Sequence, residues 1–277
     1  MHTLTHADRM HQHPSTAAAA APLPLAQPPA ARPAPVLQVQ WARHLDEVRA
    51  AQRLRHAVFA GEMGARLPDG LPGHDIDPYD AYCEHLLVRD AATAQVVGTY
   101  RLLTPAQALR AGGLYADSEF DLSALAPWRE RMVELGRSCV HADYRSGAVI
   151  LALWGALAAF MQRNRLDAMV GCASMPLRHP GLAYGEGATR IWMQLQDQYL
   201  AEPALRVQAR VPLPLRPMAL PARAPLQVPP LIHGYLRMGA KVLGAPAWDP
   251  DFNTADLPMM MRLEDLPSRY RRHFLGD

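Results

Sequence analysis

Glu134 and Arg137 stand three residues apart in the run 133–140, whose other members are mostly apolar or small. An unpaired ion buried in a strand costs several kcal/mol, so the two charges mark either an internal salt bridge or a site. Residues three apart on a regular strand face opposite ways. Gly136 lies between them, however, and a glycine inside a strand often marks a bulge, which would turn both charges to one face. As structural ions, each would pair with a neighbouring strand, for example Arg101 with Glu134. As a site, a glutamate partly desolvated beside a cleft gains a raised pKa and serves as a general base.

Further polar residues invite the same question. Asp75, Asp77 and Asp80 precede a strand that carries His85. The loop lacks the glycine and distal glutamate of an EF-hand, so the alternatives are a solvated loop or a seat for a substrate ammonium; no metal site is expected. His85 reads either as a satisfied core histidine or as a second candidate base. Gly171-Cys172-Ala173-Ser174 lacks the second glycine of a nucleophile elbow, and no P-loop or dinucleotide fingerprint occurs. The loop Tyr144-Arg145-Ser146-Gly147 opens a helix, whose free N–H groups attract anions. It is poor in glycine and suits one phosphate better than a pyrophosphate.

The elements that must position these residues follow from periodicity. Apolar side chains at 45, 48, 54, 58 and 59 predict an amphipathic helix over 41–63. Residues 84–89 and 96–103 predict a hairpin about a turn at 90–95. A strand at 131–140, a helix at 147–163 and a strand at 167–172 come next, then a helix at 187–200. Residues 231–238 form a short helix, 241–248 and 257–263 closing strands, and 267–274 a last helix. A hairpin followed by strand–helix–strand predicts a mixed α/β (α+β) sheet covered by helices.

The 277-residue chain has 26 prolines, many of them in its first 36 residues and in 203–230. The first segment, 1–36, is too poor in large apolar groups to offset the entropy of ordering, so a disordered tail is expected before one domain over 37–277. The second, 203–230, carries four arginines and predicts an irregular insertion, a candidate for peripheral contact with anionic lipid. No apolar run is long enough to span a bilayer. Three cysteines without ligand spacing predict a reduced, cytoplasmic protein. A net charge of +2 gives no reason to expect nucleic acid.

Several blocks together resemble the L-ornithine Nα-acyltransferases of the GNAT superfamily: Leu54-Arg55-His56-Ala57-Val58-Phe59, Asp75-Ile76-Asp77-Pro78-Tyr79-Asp80, Gly98-Thr99-Tyr100-Arg101, Glu134-Leu135-Gly136-Arg137-Ser138-Cys139, Gly234-Tyr235 and Asp249-Pro250-Asp251-Phe252-Asn253-Thr254-Ala255-Asp256. A more distant resemblance is to acyl-homoserine-lactone synthases, through Arg55, Phe59, Asp75, Asp77, Arg101, Glu134 and Arg137. The resemblance implies a GNAT-like sheet splayed at its centre and a fatty acyl group, 3-hydroxylated, passed from acyl carrier protein to the α-amine of ornithine. No cofactor would be bound; the donor brings its own 4′-phosphopantetheine, expected at Tyr144, Arg145, Ser146 and Gly147. Glu134, with His85 as second choice, would be the base, and backbone near Gly136–Ser138 would hold the oxyanion. Arg101 or Arg137 would take the acceptor carboxylate, Asp75, Asp77 or Asp251 its ammonium, with Arg55 and Phe59 beside them. Alternatives are a lactone synthase using S-adenosylmethionine, a coenzyme A-dependent acyltransferase, and a non-catalytic carrier-binding module.

Overall fold

The apolar periodicities resolve into an eight-stranded sheet with helices on both faces. The computed structural model describes residues 35–215 and 225–276. The tail expected over 1–36 therefore lies almost wholly outside the described residues, as do Arg216 and Arg223. In chain order the elements are β1 (Leu37–Trp41), α1 (Leu45–His56, continued by a π-helical turn Ala57–Glu62), β2 (Glu84–Asp90), β3 (Val96–Leu103) and α2 (Pro105–Ala111). Next are β4 (Phe120–Asp121), β5 (Met132–Val140), α3 (Ala148–Asn164), β6 (Ala168–Pro176), α4 (Glu186–Tyr199) and β7 (Gln208–Ala209). The chain closes with α5 (Pro230–Arg237), β8 (Lys241–Val242), β9 (Ala247–Asp249), β10 (Thr254–Arg262) and α6 (Ser268–Leu275).

The strand order is β1-β2-β3-β5-β6-β10-β8, with β9 also on β10, and β4 pairs separately with β7. Successive side chains of a strand face opposite ways, and β2 uses both sides. Leu86 and Val88 pack with Val149, Leu153, Leu157 and Met161 of α3, while Leu87 packs with Ala51 and Leu54 of α1. Every residue of β3 is buried, which is why its sequence is mostly apolar, interrupted by Thr99 and Arg101.

The β5–β6 pair holds the sheet together and also opens it. The two strands run parallel and are in register only at Met132↔Ala168, Val133↔Met169 and Glu134↔Val170. Beyond Glu134 they diverge. Two features lie at this point. On the β3 side, Arg101 faces Gly136 while Thr99 faces Cys139, so two residues of β5 oppose Tyr100 alone. That bulge contains Arg137 in the left-handed region, with φ of 51°, and a bulge bends its strand. On the β6 side, Gly171 lies so close to Leu135 that a Cβ would fall 2.4 Å from the Leu135 carbonyl oxygen. The bulge expected near Gly136 therefore exists, and Glu134 and Arg137 both face one cleft.

The structure departs from the sequence reading in two places. β1 was not expected; it pairs antiparallel with β2 despite half-exposed side chains. The closing strand expected over 241–248 is two short pieces, β8 and β9, separated by a bend. The described part of 203–230 is not loose, since Leu205, Val207 and Leu213 are buried and β7 pairs with β4. No helix among the described residues is long and apolar enough to cross a membrane.

Candidate active site

Three arginines and three aspartates form a buried ion network on one flank of the opened sheet. Arg55, on α1 and 0% exposed, donates from Nε to Asp75 at 2.8 Å and from Nη1 and Nη2 to Asp80 at 2.9 and 2.7 Å. Arg101 of β3 reaches Asp77 at 2.5 Å and Asp80 at 3.1 Å. Arg137 of β5 reaches Asp77 at 3.0 Å and Asp75 at 3.3 Å. The aspartates come from the loop before β2, where Asp77 caps the 3-10 turn Pro78–Ala81 by accepting the Tyr79 N–H at 2.9 Å. Burial pushes the Asp80 carboxyl up, yet the guanidiniums of Arg55 and Arg101 outweigh it and hold the group well below the usual carboxylate range. The network is balanced in charge, the condition under which buried ions persist.

Arg101 thus turns to Asp77 and Asp80, and the Arg101–Glu134 pair weighed from the sequence is not made. Glu134, 5% exposed, instead accepts two backbone donors, the N–H of Tyr115 and that of Ala116, each at 2.7 Å. Burial pushes its carboxyl up to about 7, while those N–H groups and the Arg101 charge pull the other way. A carboxylate tuned near neutrality can take a proton from an amine and give it up again.

Glu134 and Arg137 line a cleft of about 1080 Å³, counted with its open mouth, together with Phe59, Tyr115, Phe252 and Asp256. Against the other face of the sheet, an apolar cavity of about 720 Å³, counted with its open mouth, runs between Trp154, Leu157 and Ala158 of α3 and the methionines 259–261 of β10. The two spaces share Tyr100, Leu135, Cys172, Ala173 and Tyr235 as lining, beside the place where β5 and β6 part. The phenols of Tyr100 and Tyr235 are hydrogen-bonded to each other there, and burial pushes Tyr100 up to about 12. The guanidinium of Arg137 sits 4.7 Å from the Phe252 ring and 5.1 Å from that of Tyr115.

The other residues singled out from sequence are spread around this centre. Ser138 lines the cleft, and Phe59 does so with its ring edge-on to Phe252. His85 is buried outside the cleft lining, its Nε2 3.0 Å from the Asp80 carbonyl oxygen, and burial lowers its pKa. Asp75 and Asp77 are committed to arginines. Asp251 is exposed and faces Arg66 at 3.6 Å. Tyr144, Arg145, Ser146 and Gly147 do lead into α3, with Gly147 at its N-cap. Their side chains are turned to neighbours, Tyr144 to Asp90 at 2.6 Å and Arg145 to Glu62 at 2.7 Å.

Sequence reasoning missed a second acidic group. Glu119, Asp249 and Asp256 bring one carboxylate oxygen each within 4.8 Å of one another, and among the described residues no other His, Cys, Asp or Glu set has such spacing. Asp256 interrupts the apolar run of β10, the same signal that exposed Glu134 in β5, and it went unread.

Residues 54–155 match the acetyltransferase (GNAT) domain. The chain is 37% identical over 263 residues to the L-ornithine N(alpha)-acyltransferase of Agrobacterium fabrum, covering 87% of this chain and 86% of that protein. It is 35% identical over 256 residues to the protein of the same name from Rhizobium meliloti, covering 87% and 85%. The chain belongs to the L-ornithine Nα-acyltransferase family. It is accordingly an acyltransferase, and the GNAT-like fold expected from the sequence is the fold of this family member. Among solved structures it resembles the acyl-homoserine-lactone synthase LasI, with a TM-score of 0.51 at 14% identity over 88% of this chain and 96% of that one. It also resembles FeeM, an N-acyl amino acid synthase from uncultured soil microbes, with a TM-score of 0.50 at 12% identity over 84% and 93%. Both likenesses concern the fold.

Proposed function

We propose that this protein moves a fatty acyl group from the thioester of an acyl carrier protein to the α-amine of ornithine, releasing the carrier thiol and a lyso-ornithine lipid. The observation that carries the reading is a polar cleft holding Glu134 that shares five lining residues with an apolar cavity, beside the place where β5 and β6 part. One side suits an amino acid and the other a hydrocarbon chain. Ornithine as acceptor comes from the names of the relatives.

In this mechanism the thioester carbonyl lies at the gap and the amine in the cleft. Glu134 accepts a proton from the α-ammonium, directly or through water, and the freed lone pair attacks the carbonyl carbon. The oxyanion that forms is held by backbone N–H groups of Gly136–Ser138, which have no β6 partner because register pairing ends at Glu134. Collapse breaks the C–S bond; the thiolate takes the proton that Glu134 holds, and the attacking nitrogen gives its second proton to water. Arg137, at the cleft wall, takes the acceptor carboxylate. Arg55, Arg101 and the aspartates hold Arg137 in place. A single phosphate of the donor arm sits by the glycine-poor loop 144–147, where exposed Arg145 also attracts an acidic carrier protein.

The test is direct. Purified protein is given ornithine with either acyl carrier protein or coenzyme A as acyl donor, and products are read by mass spectrometry. Acyl-ornithine from the carrier donor supports the reading. Turnover only with coenzyme A would remove the carrier, and the absence of any acylated amine with either donor would remove the reaction.

A further inference from the structure

We propose that α6, together with the C-terminal ends of α3 and α5, forms a basic face that docks this protein on an anionic lipid surface beside the apolar cavity. The docking follows from charge and placement. Its use, handing the acylated product to the lipid, rests on the reaction proposed above.

Three elements build the face. The eight residues of α6 include Arg269, Arg271 and Arg272 and no acidic residue. Arg163 and Arg165 stand at the end of α3, and Arg237 in the last turn of α5. Backbone contacts bring these ends to one side. The N–H of Leu263, in the turn that leads to α6, donates at 2.8 Å to the carbonyl oxygen of Asp167, just beyond Arg165. Gly239, just beyond Arg237, lies so close to the same turn that a Cβ would fall 2.4 Å from the Asp265 carbonyl oxygen.

The charges on this face are left open. Arg163, Arg165, Arg237, Arg269 and Arg272 are all exposed, and none of them forms an ion pair with an acid among the described residues. Arginines elsewhere on the surface do, as Arg129 with Asp117 and Arg145 with Glu62. The acids near the face are already taken. Glu264 and Asp265 hold Arg262 at 3.2 and 2.7 Å, and Asp167 holds Arg131 at 2.7 Å. A patch of one sign without counter-charges attracts a surface of the other sign.

Two observations favour lipid over an acidic protein. First, Tyr270 and Phe274 are half-buried on α6, their rings stacked at 6.1 Å, with the Arg269 guanidinium 4.6 Å from the Tyr270 ring. Arginines beside partly covered aromatic rings suit the headgroup layer, which accepts charge and apolar surface together. Second, Leu266 and Phe274 line the apolar cavity, so the face is continuous with the space proposed for the acyl chain. The proposed reaction puts the acidic carrier protein elsewhere, by the loop 144–147 that opens α3. Arg163 and Arg165 lie at the other end of that 17-residue helix, about 25 Å along its axis. The segment 203–230, the candidate from the sequence, is less suited where it is described, since Arg206 and Arg210 are turned to the carbonyl oxygens of Ala201 and Asp117.

The test is sedimentation of the full-length protein with vesicles of phosphatidylcholine alone, or of phosphatidylcholine mixed with anionic phosphatidylglycerol. The wild type should sediment with the mixed vesicles only and be released by raised salt. Arg269→Glu with Arg272→Glu should weaken that binding roughly 10-fold or more. The same change of charge at exposed Arg43 and Arg53, beside and on α1 across the sheet from α3, should leave it near wild type. If the α6 variant melts well below wild type, Arg163→Glu with Arg237→Glu carries the same expectation. A wild type that ignores anionic vesicles overturns the proposal, as does undiminished binding by a folded variant, which would move the contact to another surface. A raised KM for the carrier donor in lipid-free turnover of the α6 variant also overturns it, because the face would then be the carrier's dock. Vesicle binding by a protein that acylates no amino acid would sink the proposed reaction and leave the docking face standing.

Discussion

The carboxylate of Glu134 accepts the backbone N–H of Ala116 at 2.7 Å, from eighteen residues earlier in the chain. The adjacent N–H of Tyr115 completes the grip. The candidate base is thus oriented by main chain that cannot titrate, and burial, outweighing those N–H groups and the Arg101 charge, places it near neutrality. A base works in its deprotonated form, so kcat/KM should rise with pH through about 7 and then level. Glu134→Gln should lower kcat by about 10²–10⁴-fold and remove that rise. A pH–rate profile of both proteins checks this; near-wild-type turnover by the variant across the range would exclude Glu134 as base.

Asp80 joins Arg55 to Arg101, and Gln52 donates to it as well at 2.8 Å. Asp80→Asn should cost about 3–5 kcal/mol at neutral pH, because two buried guanidiniums lose a counter-charge. The folded state holds the Asp80 pKa below its unfolded value. Its stabilisation is therefore complete above the unfolded value and declines as pH falls toward the folded one. Urea unfolding at pH 7 and pH 3 should show the gap between wild type and variant narrowing in acid.

Gly171→Ala places a Cβ 2.4 Å from the Leu135 carbonyl oxygen. Main chain must move to admit it, at a cost of about 1–3 kcal/mol. The strain falls where β5 and β6 part, so the variant should lose turnover beyond its loss of Tm. Thermal melts alongside kcat measurements would show this, and a variant with wild-type values for both would contradict the close approach.

Ala158, on α3, lines the apolar cavity and is 5% exposed. Ala158→Leu narrows that space, so long-chain donors should lose roughly 10-fold in kcat/KM while short-chain donors lose little. Donors of graded length read this out. A uniform loss across lengths would detach the cavity from acyl binding.

How far the sequence reveals such a molecule depends on the range of the interaction. The hairpin β2–β3 and the unit β5–α3–β6 are legible because period-2 and helical patterns are local, and α3 repeats its buried positions at 149, 153, 157 and 161. Gly136 correctly signalled a bulge. Partners were harder. Arg101 lies beside Leu103, which faces Glu134, yet it pairs with Asp77 and Asp80, which a loop with no periodicity carries to it. Asp251 stood out in its motif, but the turn at 249–253 sends it to the surface. There Asp249 accepts the N–H groups of Asp251 and Phe252, a local fold that decides which aspartate of the motif faces the cleft. β1 escaped notice because its side chains are only partly covered.

On the proposed reaction, the parting of β5 from β6 makes the sheet a partition with a slot in it. A product whose head lies in the cleft and whose tail lies in the cavity is threaded through that slot. It cannot leave sideways, since the strands are joined at Glu134↔Val170. Backing out on one side drags hydrocarbon past carboxylates, and on the other drags an ionic head through a methionine-lined space. On the proposed reaction, clearance of the finished lipid rather than bond formation becomes the slow event, and an amphiphile-accepting surface next to the cavity mouth would set the pace of the cycle.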